Sequence, residues 1–234
     1  MKFETSLRFA PAHHGSESAT RFRLIRRDEF SLLEAQSQLI NGSVCKRGLD
    51  LAIAAALILF LLPALIVIAL AIKATSPGPI LFRQRRYGGG GRIFRILKFR
   101  TMRVTEEGPF QQASRQDSRV TPIGAWLRKS SLDELPQLFN VLSGAMSLVG
   151  PRPHALAMDD YYREIIPNYA LRHLVRPGVT GLAQVSGYRG PTDSLDAIVG
   201  RVAHDIAYIR AWSPMTDIIL LLRTPAALFG GNAF

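Results

Sequence analysis

The sequence predicts a small membrane-associated α+β domain, and three features carry that expectation. Leu51 to Ile72 is a run of 22 residues without a charge, and as a helix its length matches a hydrocarbon core of about 30 Å. Ile80–Arg86 and Arg92–Arg100 read as two strands around Tyr87 and four consecutive glycines. Helical spacing of apolar residues governs much of the remainder, most clearly from Ser131 to Leu142 and from Leu195 to Trp212.

The chain has 234 residues and a net charge of +11, which points to an acidic partner: nucleic acid, anionic lipid or a phosphorylated substrate. Between Ala74 and Thr105 there are eight Lys/Arg and no Asp/Glu. Cys45 is the single cysteine, so no disulfide closes within the chain and nothing argues for an oxidising compartment. The five histidines show no metal-ligand spacing and read as surface or core residues.

Residues 1–45 are polar and without a sustained apolar period, and are expected to be a variable, mobile segment with a short helix near Asp28–Leu39. Residues 46–73 form the membrane element. Pro63 sits at its centre, where it deletes a backbone hydrogen bond and bends a helix. Lys46 and Arg47 precede the run, and Lys73, Arg83, Arg85 and Arg86 follow it. Two basic flanks fit a helix that enters and leaves by one face, whereas a kinked span should be basic on its cytoplasmic side. Both readings stand on these residues. Residues 74–234 are the expected main domain. Tyr87 to Gly91 reads as a hairpin connection, because nothing like Gly-Lys-Ser/Thr follows the glycines. Thr121 and Pro122 open a helix containing Trp126, Leu127 and Arg128. Leu156–Ile166 is a short acidic helix, and Arg176 to Gly190 a glycine-rich extended stretch. Met215–Phe229 is apolar and interrupted by Pro225; with Trp212 before it, it fits a membrane interface or the closure of the core equally well.

The stretch Ser131–Pro153, SLDELPQLFNVLSGAMSLVGPRP, is the most informative. Leu132, Leu135, Leu138, Phe139 and Leu142 share one face of a helix that Gly144 is placed to stop. Asp133 and Glu134 lie at its start, where backbone N–H groups favour negative charge. Pro151-Arg152-Pro153 locks a guanidinium in a stiff turn. Paired carboxylates and a fixed arginine suit a divalent metal and a phosphate. A simpler account exists: Ser131-x-x-Glu134 is a capping box, worth about 1 kcal/mol and no chemistry. Pro136 weighs against it, because it would fall inside the helix that Ser131 caps.

With LKFRTM at Leu97–Met102 and RPGVTGLAQVSGYRG at Arg176–Gly190, this stretch resembles the bacterial polyprenyl-phosphate sugar-phosphate transferases. These are the monotopic phosphoglycosyl transferases that begin exopolysaccharide and capsule assembly. The likeness runs from about Lys46 to Phe234 in family order. It implies a proline-broken re-entrant membrane helix with amphipathic interfacial helices, seated on the cytoplasmic face of a bacterial inner membrane. Many relatives have Ser-Pro at the break, where this chain has Leu62-Pro63. The resemblance implies transfer of a hexose-1-phosphate from a UDP-hexose to undecaprenyl phosphate, with release of UMP. Asp133 would be the nucleophile and Glu134 the ligand of Mg²⁺; their chemistry suits both roles, since enzymes form aspartyl-phosphates and Mg²⁺ takes carboxylates plus substrate phosphates. Lys98, Arg100, Arg128 and Arg152 match positions linked to phosphate or nucleotide binding. Arg189 stands one place from the usual family arginine, and Asp205 aligns with a family acid for which capping a helix or pairing with an arginine is the simplest duty. Two other classes compete: a non-catalytic basic scaffold anchored in the membrane, and a nucleic-acid binder, which the apolar run fits poorly. Neither the sugar nor homo-oligomerisation is legible.

Overall fold

The computed structural model describes residues 7–8, 24–103, 117–188 and 194–229. Its elements are β1 (Leu7–Arg8), β2 (Leu24–Ile25), α1 (Arg27–Gly42), α2 (Val44–Thr75), β3 (Leu81–Tyr87), β4 (Ile93–Phe99), α3 (Pro122–Ser130), α4 (Gln137–Leu142), β5 (Ser147–Val149), α5 (Leu156–Ile165), β6 (Gly178–Thr180), α6 (Leu182–Val185), α7 (Leu195–Arg210) and α8 (Pro214–Phe229). Short 3-10 turns occupy Leu132–Glu134 and Tyr169–Leu174. The mixed helix and strand content is that of an α+β chain. Of the expected N-terminal segment, residues 27–42 are a helix whose Leu33 and Ile40 are buried in the main core. Its Asn41 side chain donates to the Leu174 carbonyl at 2.8 Å.

The hairpin β3–β4 pairs Leu81 with Phe99 through to Tyr87 with Ile93. The other edge of β4 does not stay open: the Asn140 amide accepts from Leu97 N–H at 2.8 Å and donates to the Arg95 carbonyl at 2.9 Å. One side chain on α4 thus occupies the ladder position a third strand would take. Strands β5 and β6 are parallel, with Ser147 opposite Gly178 and Val149 opposite Thr180. Their closeness explains the glycines: a Cβ on Gly178 would lie 2.1 Å from the Gly150 nitrogen. The motifs around Gly150 and Gly178 are therefore two halves of one backbone contact.

Helix α2 has 32 residues with Pro63 inside it. It is the one described helix long and apolar enough to cross a membrane. No residue between Ala54 and Leu65 is buried. Before that gap, Ala54 packs in the main core with α1, β5 and α7 residues. After it, Leu65, Ile68 and Ile72 pack in a second cluster with Phe99 and Leu127, flanked by Leu132 and Leu135. Both limbs of α2 therefore rest on the same folded body.

The basic residues ahead of the apolar run are consumed inside that body. Lys46 Nζ pairs with Asp217 of α8 at 2.7 Å and donates to the Val149 carbonyl at 3.0 Å. Arg47 donates to the Val141 and Leu142 carbonyls at 2.7 and 3.0 Å, satisfying the end of α4. Asp50 accepts from Leu148 N–H at 2.9 Å. The N-terminal half of the flanking-charge argument consequently falls, because these charges serve tertiary contacts.

Three further expectations are corrected. The helix expected from Ser131 is broken: a 3-10 turn over Leu132–Glu134 precedes α4, whose first turn begins after Pro136. Proline lacks the N–H a continuous helix would need. Ser131 is left-handed (φ 58°) and its side chain caps nothing there, so the capping box does not form. The stretch after Arg176 is not extended throughout, since Leu182–Val185 is helical. Helix α8 helps close the core, burying Asp217 and Leu220, and leaves Met215, Ile218, Ile219 and Leu222 exposed.

Candidate active site

Three elements converge where the central stretch predicted a site. Lys98 comes from the end of β4, Asp133 and Glu134 from the 3-10 turn, and Arg152 from the turn after β5. Arg152 meets Glu134 as a fork, Nη1 to Oε2 at 2.9 Å and Nη2 to Oε1 at 2.5 Å. Lys98 Nζ donates to the same Oε1 at 2.8 Å. Such bidentate, charge-assisted contacts are the strong class of hydrogen bond. Burial opposes ionisation of Glu134, but Arg152 and Lys98 outweigh it and hold its pKa well below the usual carboxylate range.

Asp133 is in the opposite state. It is 8% exposed, and among the described residues its carboxylate accepts no hydrogen bond. Burial pushes its pKa up to about 6, assisted by the Glu134 charge and opposed by Lys98, Arg152 and Arg128. One acid is held by two cations; its neighbour is desolvated and accepts no hydrogen bond among the described residues. Neighbouring carboxyls whose environments push their pKa values apart in this way are a mark of functional sites.

The other predicted residues divide. Arg128, in the last turn of α3, donates through Nε to Thr101 Oγ1 at 2.9 Å and is close enough to Asp133 for each to shift the other. Arg100 turns elsewhere: its Nη atoms donate to the Pro77 carbonyl at 2.5 Å and to the Ser76 carbonyl and hydroxyl at 2.8 Å. It closes the C-terminal end of α2 and is not among the residues bonded to Glu134. Asp205 on α7 is buried and pairs with Arg172, accepting from Nε at 3.0 Å and Nη2 at 2.8 Å. Arg189 lies outside the described residues.

Beneath the Pro151–Pro153 turn lies a polar network that sequence reasoning missed. Arg172 donates to the Arg152 carbonyl at 2.6 Å. Tyr169 Oη donates to Asp159 at 2.6 Å. His154, whose pKa is driven well below its ordinary value by burial and by Arg172, is neutral. Its Nδ1 lies 2.6 Å from Tyr169 Oη and its Nε2 3.1 Å from Arg201 Nη1. Arg172 Nη1 also lies 2.7 Å from that Nδ1, so both ring nitrogens face a guanidinium, which favours the neutral ring. No spacing in the sequence signals this network, because Arg172 and Asp205 are 33 residues apart.

For Mg²⁺ the available donors are hard oxygens. Among the described residues Asp133 accepts no hydrogen bond, and Glu134 Oε2 accepts one and has room for another. No group of three His, Cys, Asp or Glu side chains arranged to hold a metal ion is found among the described residues. One or two carboxylates completed by substrate phosphates and water is the usual Mg²⁺ arrangement, and this pair fits it.

The profile of the bacterial sugar transferases matches residues 41–231, most of the chain. The chain belongs to the bacterial sugar transferase family. A UDP-glucose:undecaprenyl-phosphate glucose-1-phosphate transferase of Caulobacter vibrioides is 56% identical over 191 residues, covering 81% of this chain and 72% of that protein. The Escherichia coli protein of that name is 50% identical over 180 residues, 76% of this chain and 39% of its own length. A UDP-N-acetylgalactosamine-undecaprenyl-phosphate N-acetylgalactosaminephosphotransferase of Aeromonas hydrophila is 42% identical over 188 residues, 80% of this chain and 44% of its own. The chain thus spans less than half the length of the two larger relatives. Membership agrees with the resemblance carried by the three motifs, and the relatives' names differ in the sugar.

Proposed function

We propose that this bacterial sugar transferase moves glucose-1-phosphate from UDP-glucose to undecaprenyl phosphate, through an aspartyl-phosphosugar on Asp133. The observation that carries the reading is the buried Asp133 carboxylate, desolvated and with its pKa raised, beside the Lys98–Glu134–Arg152 cluster. An Asp133 oxygen attacks the β-phosphorus of the donor, and the bond from that phosphorus to the bridging oxygen breaks. The bridging oxygen leaves with UMP. A polyprenyl phosphate oxygen then attacks the same phosphorus, and the bond to Asp133 breaks, restoring the carboxylate. Mg²⁺, held by Glu134, would supply neutralisation of diphosphate charge. Lys98, Arg128 and Arg152 add fixed cations around a site that burial keeps poor in water. The sugar is proposed from the names of the two glucose-1-phosphate transferases.

The reading places the catalytic body on the cytoplasmic face of the inner membrane, with α2 entering and leaving by that face. Its support is that both limbs of α2 pack on one body, on either side of Pro63. A span would carry one limb away from it. The exposed apolar residues of α8 would rest at the lipid interface. The function is tested with protein in detergent or nanodiscs, UDP-sugars and undecaprenyl phosphate, following UMP. Release with UDP-glucose is expected. Donor labelled in the β-phosphate should leave label on the protein until lipid acceptor is added. No release with any UDP-sugar would return the chain to the scaffold class.

A further inference from the structure

We propose that Arg172, held by Asp205, is a positioning residue for the Arg152 phosphate clamp. The inference rests on the reading of Arg152 given above and goes beyond it, because Arg172 lies wholly inside the protein and touches no substrate.

Pro151 and Pro153 have no N–H, so the backbone around Arg152 must be fixed largely through its carbonyls. All three are taken. Gly178 N–H donates to the Pro151 carbonyl at 2.9 Å. Arg172 Nη2 donates to the Arg152 carbonyl at 2.6 Å, and Arg86 Nη1 reaches the Pro153 carbonyl at 3.5 Å, the outer limit of such a bond. Arg172 is therefore the side chain that grips the residue carrying the clamp.

Arg172 is itself immobilised. It is 1% exposed, at the head of the fully buried side chains by volume. Asp205 takes its Nε and Nη2, and Nη1 donates to Tyr169 Oη at 3.2 Å. Burial disfavours its charge, but Asp205 outweighs burial and keeps it protonated. A buried ion pair adds little stability over apolar residues of the same volume. What it provides here is a fixed donor at the Arg152 carbonyl, one residue's backbone away from the fork on Glu134. An error of about 1 Å at such a fork is enough to lower turnover substantially. Asp205 acquires a duty on this account: it orients Arg172.

The test is a double-mutant cycle on the full chain in nanodiscs, reading UMP release from UDP-glucose together with thermal melting. Arg172→Lys keeps a charge for Asp205 but has no second arm for the Arg152 carbonyl. It should lower kcat tenfold or more in the wild-type background. In the Arg152→Lys background the same change should cost less than threefold, because a flexible point charge does not depend on the turn's orientation. The drop in melting temperature should be equal in both backgrounds. Losses in kcat that multiply fully would make Arg172 a structural residue only and overturn the proposal. Should Arg152→Lys alone leave kcat unchanged, the clamp reading fails first and the proposal with it. If Arg172→Lys does not fold, Asp205→Asn enters the same cycle. If a double variant falls below detection, the cycle is read on UDP affinity by calorimetry, where the same coupling is expected.

Discussion

Asp133 and Glu134 are adjacent in sequence and opposite in state, and this difference has a cost with a definite sign. The fold raises the Asp133 pKa from 3.8 to about 6, so the folded protein holds that proton more tightly than the unfolded chain does. Stability is therefore lost as pH rises from about 4 through about 6, when the buried group ionises. Asparagine never ionises. Asp133→Asn should match wild type near pH 4 and exceed it at pH 7 by about 1–3 kcal/mol, while releasing no UMP in a single turnover. A purely structural carboxylate would predict retained turnover instead. For wild type, kcat/KM should climb through about pH 6 and level above it, with Glu134 ionised throughout. A profile flat from pH 5 to 8 would remove Asp133 as the ionising nucleophile. Arg152→Lys keeps the charge and loses the fork seen on Glu134. Turnover should fall roughly ten- to hundredfold at nearly unchanged melting temperature, the value of one charge-assisted contact.

Elements meet here through side chains that replace missing backbone partners. Asn140 is the clearest case, since it finishes the edge of β4 from α4. Asn140→Ala would leave Leu97 N–H and the Arg95 carbonyl without partners, costing about 2–4 kcal/mol. Because Lys98 follows Leu97, UMP release should fall more than the melting shift alone accounts for; a loss confined to stability would uncouple β4 from the site. Arg100 plays a similar part at the end of α2, bonding Ser76 and Pro77. Gly178 shows the opposite device, a side chain omitted so that two backbones can meet. These contacts tie the strands and the turn after β5 into one frame around Glu134.

Across the whole molecule, α2 is the element whose placement matters most. Its two limbs rest on two apolar clusters of one body, with an unburied stretch around Pro63 between them. The ends of the limbs should therefore lie on one side of the bilayer. Cys45 is exposed, and Ala74→Cys in a Cys45→Ser background provides the second position. In intact cells neither should react with an impermeant maleimide, and both should react once the membrane is opened. Reaction at one position only, from outside, would establish a span. Pro63→Ala restores a backbone bond and removes a residue that favours a bend, and it should shift part of the population toward that spanning pattern.

The local signals of the sequence determined a good deal by themselves. The apolar run, the hairpin around the glycines, the Thr121 start of α3 and the Gly144 stop of α4 follow from periodicity, proline geometry and left-handed backbone, which neighbours in sequence decide. Asp133, Glu134 and Arg152 were legible in their own stretch, whereas Lys98, like Arg100 and Arg128, came from the family resemblance. Tertiary structure alone decided what each charge does. Lys46 and Arg47 looked like membrane flanks and are partners of Asp217 and the end of α4. Arg100 looked like Lys98 and closes a helix. The capping box looked complete and is undone by a left-handed Ser131 and by a Glu134 drawn to Lys98 and Arg152. The physical reason is common to all: a charge's energy depends on burial and on partners within a few ångströms, and these come from chain segments far apart in sequence.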